Sequence, residues 1–311
     1  MKYVKERFEK AIEYLPKEVQ EEIGRMSIEN QSKIQEIRLR IDKQPTITQF
    51  GKNYVLSNLQ KTNKNSIEET FEKTCGYSIH SHEREINMGY VTIDGGHRIG
   101  FCGTKTENGI KDVSSINIRI SSEIIGAGAD IAKLYEAGNK GVLIAGPPLS
   151  GKTTVIRDTA RIIGNTQKVS IIDERNEIAA VFGGIPQNNV GNLTDVLTGY
   201  GKEKGIEIAT KVLSPNIIIC DEISSKSEVQ EIIRSFGCGV KFIATIHAEN
   251  IVDMLNKNAV KKMLSLGIFG YVVFLDTGDE IGKVKQIINT EDLIYESRYN
   301  ADYSSMRLLY R

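Results

Sequence analysis

One short segment constrains the fold of this chain more than any other feature. It runs Gly146-Pro147-Pro148-Leu149-Ser150-Gly151-Lys152-Thr153-Thr154 and matches the pattern G-x-x-x-x-G-K-[ST]. It lies between a predicted buried strand, Gly141 to Ala145, and a predicted helix, Lys152 to Ile163. Because a phosphate loop joins a strand to a helix, this context predicts an α/β fold with a parallel sheet.

The residue types of this segment suit the binding of ATP. Glycines let the loop curl its backbone N–H groups around the β- and γ-phosphates, and the helix N-terminus adds a partial positive charge. We expect Lys152 to bridge these phosphates and the Thr153 hydroxyl to ligate Mg²⁺. All residues from Gly146 to Thr154 are therefore candidate nucleotide-binding residues.

A second segment places two carboxylates after a predicted buried strand. Asn216 to Cys220 is largely apolar and is followed by Asp221 and Glu222, which is the form of a Walker B segment. We expect Asp221 to hold Mg²⁺, usually through water, and Glu222 to polarise the attacking water. A carboxylate directly after the Walker B aspartate favours RecA-like and AAA-type ATPases. The alternative interpretation is a surface acidic pair.

Those ATPases insert a further strand between the phosphate-loop strand and the Walker B strand. The candidate is Val240 to Thr245, which leads into Ile246 and His247. Its position predicts that the Thr245 hydroxyl and the His247 imidazole lie beside the γ-phosphate. His247 is therefore a candidate γ-phosphate sensor, and the alternative is a structural histidine.

A third acidic segment, Asp173-Glu174-Arg175-Asn176-Glu177, follows the predicted strand Lys168 to Ile172. Binding sites in open α/β sheets lie at the carboxyl ends of the strands, so these acids are expected near the nucleotide. Either Asp173 or Glu174 is an alternative to Glu222 for orienting the attacking water. The sequence does not show which of these three acids orients the attacking water.

Composition limits the partners of the chain. Its 311 residues contain 40 Lys and Arg against 40 Asp and Glu, so the net charge is zero and no overall positive field favours nucleic acid. The longest apolar runs are far below the roughly 18 residues of a membrane span. We therefore expect no direct span and no nucleic-acid partner, with any membrane role arising through a partner protein.

The cysteines predict a reducing compartment and hence a cytoplasmic protein, since they form no C-x-x-C pair. Cys220 lies in an apolar strand and is expected to be a core residue. Cys75, His80 and His82 are close in sequence but lack a fourth ligand, so no zinc site is predicted.

The chain divides into two predicted domains. Residues 1–125 combine an amphipathic first helix with short alternating strands, including a hairpin at Asp94-Gly95-Gly96, and predict a smaller α+β domain. Residues 126–311 alternate buried strands with helices and predict a RecA-like P-loop ATPase domain. The segment from Ile124 to Ala129 is interpreted as a small-residue connector.

Together these motifs resemble the stage III sporulation protein AA family and, more remotely, the type II and type IV secretion ATPases and pilus motor ATPases. The resemblance covers nearly the whole chain. Besides the segments above, it is carried by Glu36-Ile37-Arg38-Leu39-Arg40, Gly89 to Gly100, Asp112 to Ile120, and Thr194-Asp195-Val196-Leu197 followed by Lys202.

The resemblance implies a homohexameric ATPase in the mother-cell cytoplasm. It would act peripherally on membrane proteins of a secretion-like channel between mother cell and forespore. In the secretion ATPases an Asp box supplies catalytic acid and a His box follows Walker B. Asp173, Glu174 and Glu177 match the first by position, and the segment Thr245 to Ala248 looks like the second.

The resemblance also bears on four individual positions. Arg98 and Arg119 lie where the secretion ATPases have nucleotide-facing arginines in the N-terminal domain, so either is a candidate arginine finger that completes a neighbour's site. The alternative is that both pair with acids on their own strand face. Leu193 and Lys211 stand where the family typically has arginine, which weakens or removes any phosphate or intersubunit contact there.

Two alternative functions follow from the same residues. A RecA-like nucleic-acid translocase would show a basic stripe and salt-dependent binding. A nucleotide-gated assembly scaffold would bind ATP and hydrolyse it slowly, and the departures at Leu193 and Lys211 motivate it.

Overall fold

The structure is a computed structural model, and it describes residues 2–76, 82–106, 109–138, 140–277 and 282–293. These residues form two compact units. The first contains the residues up to Ser122 together with Ala180–Asn188, and the second contains Glu123–Ala179 and the described residues from Asn189 onward. Helices and strands are numbered along the chain.

The first unit is built on a six-stranded antiparallel sheet in the order β3-β2-β1-β6-β5-β4. Its strands are β1 (Ile34–Arg40), β2 (Thr46–Gln49), β3 (Lys52–Val55), β4 (Tyr90–Thr92), β5 (Arg98–Thr106) and β6 (Gly109–Arg119). Its helices are α1 (Lys2–Ile12), α2 (Lys17–Gly24), α3 (Ile28–Ser32), α4 (Lys64–Thr74) and α5 (Glu83–Asn87).

Local patterns explain these elements. In β1 the buried side chains include Ile37 and Leu39, two residues apart, as expected of a strand with one face on the core. In α1 the buried side chains of Phe8 and Ala11 follow helical spacing. The predicted hairpin is confirmed, because β4 and β5 pair antiparallel around a 3₁₀ turn at Asp94–Gly96.

The second unit is built on a seven-stranded sheet in the order β11-β8-β12-β13-β7-β14-β15. All neighbours in it are parallel except β14 and β15. Its strands are β7 (Gly141–Gly146), β8 (Val169–Asp173), β11 (Thr194–Thr198), β12 (Ile217–Cys220), β13 (Lys241–His247), β14 (Phe269–Leu275) and β15 (Val284–Asn289). Its helices are α6 (Ala129–Gly138), α7 (Lys152–Ile163), α8 (Lys202–Ile208), α9 (Lys226–Gly237), α10 (Ile251–Leu255) and α11 (Asn258–Ser265).

Three inner strands of this sheet are buried throughout. Every residue of β7, β8 and β12 is buried, because helices cover both faces of a parallel sheet. The prediction of an α/β, RecA-like fold is confirmed. The predicted inserted strand is also confirmed, since β13 pairs with β7 on one side and with β12 on the other.

Several elements differ from the sequence interpretation. The supposed small-residue connector leads directly into α6, whose buried Ile131, Ala132 and Tyr135 have helical spacing. The edge strand β11 was not predicted, because it pairs on one side only and its polar residues hide the apolar pattern. A short helix that the sequence interpretation does not include, α10, precedes α11.

The sequence interpretation assigns segment 180–188 to the ATPase domain, yet it belongs to the first unit. It contains a small hairpin of β9 (Val181–Phe182) and β10 (Ile185–Pro186). Side chains rather than a strand pattern hold it there. Gly95 N–H donates to Gln187 Oε1 (2.9 Å), and the buried Arg7 donates through Nη2 to Asn188 Oδ1 (2.6 Å). Long-range contacts of this kind leave no periodic signal in the sequence.

Candidate functional site

The strand order of the second unit brings the predicted motifs together at the carboxyl ends of its parallel strands. Gly146, at the carboxyl end of β7, is the register partner of His247 in β13. Cys220, at the end of β12, pairs with Ala244 in β13 and with Ile172 in β8. The phosphate-loop segment, the acidic pair after β12 and the acidic segment after β8 therefore begin side by side.

The phosphate-loop segment has the tight curl that its glycines predict. Gly151 has a φ of 87° and immediately precedes α7, and a Cβ atom at Gly146 would lie 2.6 Å from Ser150 Oγ. Leu149 also has a positive φ, 65°, and its side chain is 98% exposed. The first N–H groups of α7 have no acceptor within the helix, so they are available to an anion at this loop. The backbone thus fits a bound phosphate chain.

The Lys152 side chain folds along this loop. Its ammonium donates to the carbonyl oxygens of Gly146 (2.8 Å) and Pro147 (2.7 Å). Burial lowers the pKa of Lys152, while the nearby charges of Asp221 and Glu222 act in the opposite direction. The amine is therefore held at the loop by carbonyl acceptors that phosphate oxygens can replace.

The proposed magnesium ligands lie next to each other. Thr153 Oγ1 donates to Asp221 Oδ2 at 2.7 Å, which joins the start of α7 to the Walker B segment. The other oxygen of Asp221 accepts a hydrogen bond from the Thr245 hydroxyl. A hydroxyl and a carboxylate oxygen are ligand types that Mg²⁺ prefers, so these two side chains fit the predicted metal.

Glu222 is held in an unusual backbone conformation. Its φ is 50°, in the left-handed region that costs a non-glycine residue roughly 1–2 kcal/mol. Its N–H donates to Thr245 Oγ1 (2.8 Å), so the fully buried Thr245 hydroxyl contacts both acidic residues of the Walker B segment. The Glu222 carboxylate is 48% exposed and lies 3.3 Å from Arg175 Nη1.

The carboxylate of Asp173, by contrast, is buried and binds backbone N–H groups of the turn that follows it. It is 3% exposed, and its carboxylate accepts backbone N–H bonds from Glu177 (2.8 Å), Ile178 (3.0 Å) and Ala179 (2.8 Å). These three donors fill most of the roughly four acceptor sites of the carboxylate, which disfavours Asp173 relative to Glu222 as the residue that orients the attacking water. Glu174, the next residue, has a 42% exposed side chain, and its Oε2 lies 3.8 Å from the Lys202 ammonium.

The structure adds Lys202, which the sequence interpretation uses only as a family marker. Its ammonium lies between the acidic segments, and it lines a small cleft of about 30 Å³ together with Asp173, Glu174, Arg175, Glu177, Asp221, Glu222 and Ile172. The signal that could have found it is its position shortly after Thr194–Leu197, which the structure shows to be an edge strand beside β8.

Other predicted residues have local partners. Arg119 lies 3.6 Å from Glu36, and Arg98 lies over the Tyr90 ring at 4.6 Å from its centroid, both within the first unit. Lys211 pairs with Glu207 at 2.7 Å. The Arg119 contact pairs an arginine with an acid, as the alternative interpretation expects, whereas the Arg98 contact is with an aromatic ring.

The remaining predictions concern His247, Cys220 and the group of Cys75, His80 and His82. His247 is half-buried, and its carbonyl oxygen accepts a hydrogen bond from Lys257. Cys220 is fully buried, and burial raises the pKa of its thiol to about 12, as a core residue requires. Cys75 is also buried, His82 contacts Glu85, and His80 lies outside the described residues.

In the described part of the chain, no helix is both long and apolar enough to cross a bilayer. Nor do the described residues contain a group of three His, Cys, Asp or Glu side chains arranged to hold a metal ion. The candidate Mg²⁺ site instead pairs one carboxylate with one hydroxyl.

A parallel sheet of this order, with the phosphate loop after β7 and the acidic pair after β12, defines the RecA-like P-loop class. The sequence matches the family described as sporulation stage III, protein AA, over residues 5–294. Stage III sporulation protein AA of Bacillus subtilis (strain 168) is 31% identical over 291 residues, covering 90% of this chain and 94% of that protein. The chain belongs to the stage III sporulation protein AA family.

Solved structures with the same fold include ATPases and motors. The pilus retraction motor PilT, described with bound ADP, has a TM-score of 0.63 and 17% identity, and the match covers 92% of this chain and 88% of that one. The Yersinia pseudotuberculosis ATPase DotB has a TM-score of 0.62 and 16% identity, with coverage of 94% and 84%. At such identities the likeness is one of fold.

Proposed function

We propose that this chain is a Mg²⁺-dependent ATPase that drives a secretion-like sporulation channel. It would act from the mother-cell cytosol on a membrane complex that leads to the forespore. Family membership and the fold support this proposal. The observation that carries it is the 2.7 Å contact between Thr153 Oγ1 and Asp221 Oδ2, because it joins the phosphate loop to the acidic pair.

Each residue has a defined part in the proposed hydrolysis. Lys152 and the loop N–H groups would hold the β- and γ-phosphates. Thr153 and Asp221 would hold Mg²⁺, which would offset phosphate charge. The oxygen of water bonds to the γ-phosphorus while the bond from that phosphorus to the bridging oxygen of ADP breaks. Glu222 accepts the proton of the water, and His247 contacts the γ-phosphate.

Substitution of the loop lysine tests this function. Lys152→Ala removes the only cation of the phosphate-loop segment, so steady-state ATP turnover should become unmeasurable while the protein stays folded. Lys140→Ala is the matched control, since Lys140 precedes β7 and pairs with the exposed Glu291. Parental turnover by Lys152→Ala would refute the site. Nucleotide binding without turnover in the parent chain would instead support the assembly scaffold.

We further propose that the active form is a homohexamer whose sites are completed by Arg98 or Arg119 of a neighbouring subunit. Alanine at the finger position should lower turnover by ~10³-fold and leave nucleotide binding intact. Mixing that variant with Glu222→Gln should partly restore turnover, because some sites in mixed rings are intact. Absence of rescue at every mixing ratio, with subunit exchange demonstrated, would favour a site closed within one chain.

The proposed partners are membrane proteins of the stage III sporulation complex, which would hold the chain at the membrane. The expected observation is faster ATP turnover when the cytosolic part of such a protein is added. The same addition to Lys152→Ala should give no turnover.

A further inference from the structure

Lys202 follows β11, the edge strand of the sheet, and its side chain reaches the candidate site from that side. It is the first residue of α8, four residues beyond β11. The connecting loop is attached to the end of β8, because the Thr198 hydroxyl (3.2 Å) and Gly199 N–H (3.3 Å) both donate to the carbonyl oxygen of Asp173. The Lys202 side chain is 11% exposed, so most of it is packed against its neighbours.

The ammonium of Lys202 contacts both acidic strand ends. It donates to the backbone oxygen of Glu222 at 2.5 Å and lies 3.8 Å from Glu174 Oε2. It also lies 3.5 Å from Glu228 Oε1, a carboxylate that accepts backbone N–H bonds at the start of α9. Its hydrogen bond to Glu222 is thus to the main chain, while the Glu222 carboxylate lies beside Arg175.

This contact completes the restraint on the Glu222 backbone. On one side of its Cα atom, Glu222 N–H donates to the Thr245 hydroxyl (2.8 Å). On the other side, the next peptide group donates through Ile223 N–H to Thr245 O (2.9 Å) and accepts from Lys202 through Glu222 O. Both peptide groups flanking a left-handed residue are therefore held, and their orientation sets the direction of its side chain.

We propose that Lys202 is a positioning residue of the hydrolytic site. By holding the carbonyl group of Glu222 it keeps this residue in the left-handed conformation that directs the carboxylate. Lys202 itself touches neither phosphate nor water in this role. The inference rests on the proposed ATPase function, in which Glu222 accepts the proton. If Lys202 served stability alone, its loss would leave kcat unchanged in the protein that remains folded.

The test compares two lysines of the same helix. Lys202→Met keeps the aliphatic stem and removes the ammonium, and we expect kcat to fall about tenfold or more while the KM for ATP stays within about twofold. Lys204→Met is the control, because Lys204 is 63% exposed and pairs with Glu207, and its kcat should be parental. A parental kcat for Lys202→Met, or an effect confined to KM, would overturn the inference.

A second readout does not depend on activity. In the full chain without nucleotide, hydrogen exchange at the Ile223 amide should be on the order of tenfold faster in Lys202→Met than in Lys204→Met, because one restraint on that peptide group is gone. Unchanged exchange would overturn the positioning role even in a protein that hydrolyses ATP. A parent chain without ATP turnover would instead refute the proposed function, while the exchange result would still decide whether Lys202 restrains Glu222.

A fallback variant covers the case in which Lys202→Met does not fold. Removing the ammonium leaves the mostly buried Glu228 carboxylate without its cation, and Glu228→Gln removes that charge. The double variant should show the kcat loss of about tenfold or more that is predicted for loss of the ammonium, and Glu228→Gln alone should keep the parental kcat. A kcat loss in Glu228→Gln equal to that of the double variant would assign the effect to the ion pair and overturn the role of the carbonyl contact.

Discussion

Two neighbouring strands of the parallel sheet lead into the same pair of residues, aspartate followed by glutamate. At the end of β8 the carboxylate of Asp173 is buried and accepts backbone N–H bonds from residues 177–179. After β12 the carboxylate of Asp221 accepts hydrogen bonds from the hydroxyls of Thr153 and Thr245. The first aspartate shapes a turn of the chain, whereas the second joins two motifs.

The difference lies in the donors that surround each carboxylate. Backbone N–H groups cannot move away without unfolding the turn, so Asp173 is committed to its local structure. Hydroxyl groups can rotate and also act as acceptors, so Thr153 and Asp221 can exchange their mutual contact for a shared cation. Identical dipeptides thus acquire different chemical uses from the contacts of neighbouring elements.

The largest expected effect is the difference in kcat between variants of the two glutamates, Glu222 and Glu174. Glu222→Gln retains the side-chain shape but removes the proton acceptor, so kcat should fall by roughly 10²-fold or more, about 2.7 kcal/mol in barrier height. Glu174→Gln should have a milder effect if Glu222 is the base. Single-turnover hydrolysis of both variants, with nucleotide binding measured in parallel, makes the comparison. The reverse ranking would assign the catalytic acid to the segment after β8.

The two aspartates should differ in stability. Asp173→Asn replaces one acceptor oxygen by an N–H₂ group that faces backbone donors, which should lower the free energy of unfolding by about 2 kcal/mol. Asp221→Asn keeps an acceptor for hydroxyl donors and should lower it by less than about 1 kcal/mol. Urea unfolding of both variants checks this difference. Equal losses would mean that the comparison of the two strand ends is wrong.

The smallest effect is expected from the exposed ion pair between the two acidic segments. The side chains of Arg175 and Glu222 are 69% and 48% exposed, so solvent screens their 3.3 Å contact. Arg175→Ala should change the free energy of unfolding by less than about 0.5 kcal/mol. Urea unfolding at low and high salt measures it. A larger, salt-dependent loss would show that this pair stabilises the two acidic segments together.

Much of the fold was predictable because its signals are local. The phosphate-loop segment, the apolar run before Asp221 and the alternation in the first domain all depend on near neighbours in sequence. The sequence also predicted the strand inserted between the two Walker strands, now seen as β13. The helix α6 escaped detection because small residues at its start were interpreted as a connector, although its buried face is regular.

The sequence predicted the residue types of the candidate site but not all of the contacts that these residues make. Lys152, Thr153, Asp221 and Glu222 all lie at one edge of the sheet, but the sequence could not rank the acids. The burial and donor set of Asp173 involve residues up to six positions away, held by a turn whose geometry no periodicity reveals. The place of Thr245 beneath both Walker B acids likewise depends on the register of β12 and β13.

The sequence by itself determined the class of this protein, because a phosphate loop and a strand-terminal acidic pair need specific residues at fixed spacing. It also determined the family, through motifs along nearly the whole chain. Only the tertiary structure decided that residues 180–188 belong to the first unit and that Lys202 holds the backbone of Glu222. Those contacts join residues that are far apart in the chain. Their free energy depends on side-chain geometry in the folded protein rather than on local propensity.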